Sequence, residues 1–175
     1  SGFWPADMKI YFDAPQTYWK RFDEFVALAK KHNVKLLPTL FWNYPMWPDL
    51  MKEPSSNIFE KGSRTREAME KYLRELVGRY KDEPAILCWE ISNEMNLGAD
   101  LNRTHWPKSG IAPQMGTPEQ RTAADSFTTA DLVRFTKEVA SLIKEIDPNH
   151  LVTTGHALPR FSSRSLREGF PEVRW

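Results

Sequence analysis

Apolar residues recur along the chain at two periods, and the switches between them mark out the elements. From about Gln16 to His32, Phe22, Val26 and Ala29 fall on one face at helical spacing. This predicts an amphipathic helix with Asp13 as N-cap and Pro15 in its first turn. A second helix is predicted from about Thr65 to Tyr80 after Ser63 as N-cap, where Met69, Tyr72, Leu73, Leu76, Val77 and Tyr80 repeat at intervals of three and four. A third runs from about Thr129 to Ile146, with Leu132, Phe135, Val139, Leu142, Ile143 and Ile146 on one stripe, and Asp147-Pro148-Asn149 ends it. Strand-like runs alternate with these helices: Val34 to Trp42, Ala85 to Glu94 and Leu151 to Gly155. Pro38 removes one ladder donor from the first run, and a bulge there reconciles it with a strand. Helical crossovers between successive strands give parallel, right-handed pairing, so the pattern predicts one α/β unit, followed by a basic, loop-like tail from Ala157 to Trp175.

Two connections are longer than this architecture needs. Asn43 to Gly62 follows the first strand, and Met95 to about Thr128 follows the second; both leave carboxyl ends of strands, where parallel α/β folds build their active sites. Composition narrows the ligand. With 24 basic and 23 acidic side chains the formal net charge is +1, which argues against a nucleic acid or a membrane surface held by bulk charge. A hydrophobic share of 41% supplies a core for one domain of 175 residues. The single cysteine, Cys88, excludes an intrachain disulfide framework, and no Cys/His cluster has zinc-ligand spacing. No apolar run approaches the roughly 18 residues of a spanning helix, and Ser1 to Pro5 lacks a signal-peptide pattern and reads as mid-chain sequence. Thirteen prolines and seven tryptophans, several of them adjacent, point toward flat, apolar ligands.

The second strand carries the chemistry. Alternation puts Ile86, Cys88, Glu90, Ser92 and Glu94 on one face and Leu87, Trp89 and Ile91 on the other. The apolar face belongs under the helices, which leaves two glutamates on the interior of a barrel or curved sheet, where a carboxylate needs a partner or a task. Glu94, at the strand's carboxyl end, is the better placed to meet a ligand and serve as a general acid. Four residues of extended strand separate Glu90 from Glu94 by about 13 Å, too far for either type of glycosidase carboxyl pair. Glu90 is therefore expected to be an interior carboxylate bonded to a basic side chain or a hydroxyl, and Cys88 a small core residue.

The run Pro84-Ala85-Ile86-Leu87-Cys88-Trp89-Glu90-Ile91-Ser92-Asn93-Glu94 resembles the fourth barrel strand of the clan A glycoside hydrolases, especially the family 5 cellulases and mannanases. Asp147-Pro148-Asn149-His150-Leu151-Val152-Thr153 resembles the run into their fifth strand, and Lys35 to Asn43 is similar to their third. The resemblance implies a (β/α)8 TIM-type barrel of which residues 1–175 form one partial catalytic domain covering about strands three to five. It also implies retaining double displacement on a β-linked, mannan- or cellulose-like polysaccharide, with Glu94 as general acid/base, Asn93 holding the sugar 2-hydroxyl, and no metal or organic cofactor required. Strict alternation turns Asn93 outward, so the strand end must twist or bulge. In this family the nucleophilic glutamate ends the seventh strand, and no segment here matches it; Glu168 and Glu172 lie in the tail without a strand pattern. The nucleophile and the missing strands are then expected from the rest of a longer chain or from a partner, and secretion or a periplasmic location is implied by the resemblance alone.

Further contacts are expected around the mouth. Trp42, Tyr44, Trp47 and Trp106 sit at strand ends or in the large loops, where their faces suit stacking on pyranose rings; packing against proline, as in Pro45-Met46-Trp47-Pro48, is the alternative. Asn43 and His156 end the first and third strands, within reach of the same mouth as Glu94. Two other readings stay open: a non-catalytic carbohydrate-binding or degenerate barrel, and a half-barrel whose open sheet edges pair with a partner chain.

Overall fold

A computed structural model describes residues 5–101 and 116–158. Five α-helices and three strands alternate: α1 (Pro5–Asp13), α2 (Pro15–Lys31), β1 (Thr39–Phe41), α3 (Met46–Met51), α4 (Arg64–Tyr80), β2 (Cys88–Ser92), α5 (Thr129–Ile146) and β3 (Leu151–Thr153), with short 3-10 turns at Ser55–Phe59, Met95–Gly98 and Ala123–Asp125. The strands form one parallel sheet in the order β1-β2-β3. Among the described residues no helix is long and apolar enough to cross a membrane.

The two longest periodic runs fold as their spacing predicts. Ser63 caps α4 by accepting the Arg66 amide at 3.0 Å, and the stripe from Met69 to Tyr80 is buried. Thr128 and Asp131 close a reciprocal capping box at the start of α5. The buried face of α2 is Tyr18, Phe22, Val26 and Ala29, and it packs on α4: the Tyr18 and Tyr72 hydroxyls lie 2.7 Å apart and Phe22 stacks on Tyr80. In turn α4 is tied to α5 through Arg66, which donates to Glu138 at 3.0 Å and lies 4.9 Å from the centre of the Phe135 ring.

The amino-terminal part departs from expectation. Asp13 is not the N-cap of α2 but the last residue of α1, where its carboxylate pairs with Lys9 one turn back. Ala14 occupies the cap position without a side-chain bond. The first strand is shorter than its apolar run, because pairing with β2 breaks at Pro38. Leu36 pairs with Ile86 and Thr39 with Glu90, so three steps along one chain match four along the other. The irregularity expected at Pro38 is present at that level, with the extra residue on the neighbouring segment, where Leu87 is turned out to solvent. The connection after β1 is also more ordered than a loop: α3 and the following 3-10 turn bury Met46, Trp47, Ile58 and Phe59 in the core with Phe41, Tyr72, Trp89 and Phe135.

Candidate active site

Strand β2 is fixed from below before it presents anything above. Trp89 and Ile91 are buried. The indole of Trp89 donates to Asp147 Oδ2 at 2.7 Å, and Asp147 also accepts the amides of Asn149 and His150 and contacts the His150 ring at 2.6 Å. Burial by itself raises the Asp147 carboxyl, but the indole, the His150 and Asn149 amides and the His150 ring outweigh it and hold the group below the usual carboxylate range. On the opposite face Glu90 accepts a hydrogen bond from the Thr39 hydroxyl on β1, the interior partner its position called for. Cys88 is buried, and that burial, reinforced by the charge of Glu90, pushes its thiol up; it is a core residue.

Past Ser92 the chain leaves the extended region. Asn93 and Glu94 are half-buried, and Glu94 adopts a left-handed backbone with φ 51° and ψ 24°. For a residue with a Cβ this costs on the order of 1 kcal/mol, so neighbours must hold it. The Glu94 amide donates to the Gly155 carbonyl at 2.9 Å, while its own carbonyl accepts the Leu97 amide at 3.0 Å. The bend falls at Glu94, one residue after Asn93. Gly155, at φ 70°, lies so close to β2 that an added Cβ would stand 1.7 Å from the Ser92 carbonyl oxygen. His156 follows it, exposed, with its amide on the Thr154 hydroxyl at 3.3 Å; partial desolvation lowers its imidazole below the ordinary value.

Because the three strands are parallel and adjacent, Asn43 after β1, Asn93 and Glu94 after β2 and His156 after β3 leave the same edge of the sheet. Trp42 and Asn43 are half-buried there. The Asn43 carbonyl accepts the Met46 amide at 3.1 Å and so helps open α3. Trp47 departs from this group. It is 1% exposed, boxed by Phe41, Tyr72 and Phe12 at ring separations of 5.7, 5.3 and 5.9 Å, and of the two roles open to it packing prevails, since no face is left for a sugar. Tyr44 is likewise buried, edge-on to Phe127. Trp106 lies outside the described residues.

The two oversized connections are joined by a buried ionic cluster that the sequence reading did not single out. Arg121 grips Asp49 of α3 with both terminal nitrogens, at 2.6 and 2.8 Å, and reaches Asp125 at 3.4 Å. Asp49 also accepts the Thr117 hydroxyl, and Asp125 accepts the amide and hydroxyl of Ser55. Asp125 stays low despite burial because the Thr122 and Ser55 amides, the Ser55 hydroxyl and Arg121 together outweigh it. Pairing across some 70 positions left no local pattern to read. Gly155 did leave one, since a glycine at a strand end marks a close backbone approach. Among the described residues no group of three or more His, Cys, Asp or Glu is arranged to hold a metal ion.

The family description "Apiosidase-like, catalytic domain" matches residues 6–172. The chain is 33% identical over 143 residues to probable mannan endo-1,4-beta-mannosidase C of Aspergillus terreus, covering 77% of this chain and 31% of that protein. It is 26% identical over 166 residues to putative mannan endo-1,4-beta-mannosidase 4 of Arabidopsis thaliana, covering 82% and 34% respectively. Among solved structures it is similar to the endo-beta-1,4-mannanase of Thermotoga petrophila, with a TM-score of 0.54 and 27% identity over 79% of this chain and 27% of that one. The chain thus spans about a third or less of the length of these relatives.

Proposed function

This chain belongs to the apiosidase-like catalytic domain family, and from that premise we propose that the protein is a retaining glycoside hydrolase cleaving a β-linked, mannan-like polysaccharide. Glu94 is its general acid/base. The observation that carries the reading is the position of Glu94: half-buried, directly after Asn93, beyond the carboxyl end of the central strand of a parallel sheet. The mannanase names of the relatives support the substrate class.

In the first step a nucleophilic carboxylate, supplied from outside these residues, bonds to the anomeric carbon as the bond from that carbon to the glycosidic oxygen breaks, and Glu94 gives its proton to that oxygen so that the leaving sugar departs as an alcohol. In the second, Glu94 takes a proton from water as that water displaces the carboxylate. Asn93 binds the 2-hydroxyl, and Asn43, Trp42 and His156 line the mouth. In this reading residues 1–175 are one partial domain of a (β/α)8 barrel, and the remainder covers the outer edges of β1 and β3. Exposed apolar side chains support this: Phe25, Leu28 and Leu37 on the elements leading into β1, and Val133 and Leu151 on α5 and β3. Export from the cytoplasm belongs to the same reading.

The test is Glu94→Gln in the intact enzyme. Activity on β-mannan should fall by several orders of magnitude, and proton NMR of the first-formed product should show retained anomeric configuration with the wild type; inversion, or full activity in the variant, refutes the assignment. Binding of mannan oligosaccharides without turnover would leave a carbohydrate-binding barrel instead. A second reading rests on the family match over residues 6–172: a terminal apiosyl unit as the group released. Hydrolysis of an apiosyl glycoside in preference to mannan would favour it.

A further inference from the structure

We infer that Asn96 is a positioning residue for Glu94, acting through the segment that follows β3; this rests on the reading of Glu94 as acid/base. Three rungs join the end of β2 to that segment, the first of them doubled by the Ser92 hydroxyl, which also donates to the Thr154 carbonyl at 3.3 Å. The Ser92 amide donates to the Thr154 carbonyl at 3.3 Å, and the Glu94 amide donates to the Gly155 carbonyl at 2.9 Å. Beyond Glu94 the β2 backbone has turned away into its 3-10 turn, and the third link is made by a side chain. Asn96 Nδ2 donates to the Ala157 carbonyl at 2.8 Å, and the Ala157 amide donates to Asn96 Oδ1 at 2.9 Å.

A carboxamide offers a donor and an acceptor in one plane, as a peptide unit does. Asn96 therefore extends the pairing by one rung where the backbone no longer can. Glu94 sits between two rungs, in a left-handed conformation that has no preference of its own to keep it there. The rungs need the two chains in close apposition, and Gly155, lacking a Cβ, permits it. Loss of the Asn96 rung frees one side of the bend and lets the carboxyl drift from the glycosidic oxygen. Displacements of this kind cost rate rather than affinity.

A leaving group that needs no proton separates positioning from stability. In the intact enzyme, kcat/KM is measured for a mannan oligosaccharide, whose leaving sugar must be protonated, and for 2,4-dinitrophenyl β-mannoside, whose leaving phenolate needs no proton. Asn96→Ala should lose tenfold or more on the oligosaccharide through kcat, with KM held, and threefold or less on the dinitrophenyl glycoside. Glu94→Gln should show the same contrast more strongly. Arg66→Met, which disturbs a buried ion pair between α4 and α5, should show none. Equal losses on both substrates in Asn96→Ala, or no loss on either, overturn the inference while leaving Glu94 in place. Absence of the contrast in Glu94→Gln removes both. If Asn96→Ala does not fold, Asn96→Gln keeps donor and acceptor one methylene further out and is expected to give a smaller loss with the same contrast; equal losses there overturn the inference as well.

Discussion

Gly155→Ala should be strongly damaging for a single added methyl group. The added carbon would stand 1.7 Å from the Ser92 carbonyl oxygen, 2.9 Å from its carbon and 2.8 Å from Glu90 Cγ. Two of these three obstacles are backbone and cannot rotate aside. To reach even 3.0 Å from the oxygen the chains must part by about 1.3 Å, which carries the Glu94 amide bond, now 2.9 Å, beyond hydrogen-bond range and the weaker Ser92 to Thr154 bond with it. Two lost bonds at about 1 kcal/mol each, plus about 1 kcal/mol for a left-handed alanine, give roughly 3 kcal/mol. For a domain of this size that lowers Tm by about 6 to 12 °C. Calorimetry measures it, and hydrogen exchange at the Glu94 amide should show the loss locally. Gly62→Ala is the control: Gly62 is also left-handed, at φ 83°, but nothing lies within 4 Å of its would-be Cβ, so only the conformational cost of about 1 kcal/mol applies. Equal destabilisation by the two substitutions would refute the close-approach argument.

Two further outcomes are expected. Trp47→Ala should destabilise the fold by about 3 to 5 kcal/mol, as loss of a fully buried indole does, while calorimetric affinity for mannan oligosaccharides at a temperature well below Tm stays within about twofold of wild type; a stable variant with weakened sugar binding would return Trp47 to the cleft. Glu53 supplies a pH dependence. Burial alone raises its carboxyl, but the hydroxyl and amide of Thr65, together with Arg64 and Asn57, prevail and hold it down at about 2, against an ordinary 4.5. A carboxyl lowered on folding stabilises fully above pH 4.5 and loses that contribution as the pH falls toward 2. Glu53→Gln should flatten the stability profile of acid unfolding in that window, and an unchanged slope would exclude Glu53 as a source.

How much of this was legible in the sequence follows from how local each cause is. The helices α4 and α5 match their expected spans to within a residue, since their apolar stripes and the Ser63 and Thr128 caps all lie within the elements themselves. The first helix was hidden because Pro5–Asp13 carries only a weak stripe, and Asp13 before a proline looks like a cap when its partner Lys9 is overlooked. Trp47 misled for a related reason: a Trp-Pro run reads equally as an exposed aromatic loop or as a short helix, and what chooses between them is contact with Tyr72, 25 positions away. That Asn93 and Glu94 follow the carboxyl end of β2 was legible from strand direction, whereas the role given to Asn93 came from the family resemblance and ran against strict alternation. Asn96 was not, because Ala157 is 61 residues distant in the chain.

The slipped register between β1 and β2 has a chemical consequence. Continued without the extra residue, the pairing of Leu36 with Ile86 would set Thr39 level with Trp89, on the side facing the helices. One inserted step instead sets Thr39 level with Glu90. The hydroxyl thereby arrives on the carboxylate's side of the sheet, and an acid that would have needed a counter-ion is solvated by an alcohol from the adjacent strand. A flaw in strand pairing thus decides which side chain of the neighbouring strand meets the interior acid.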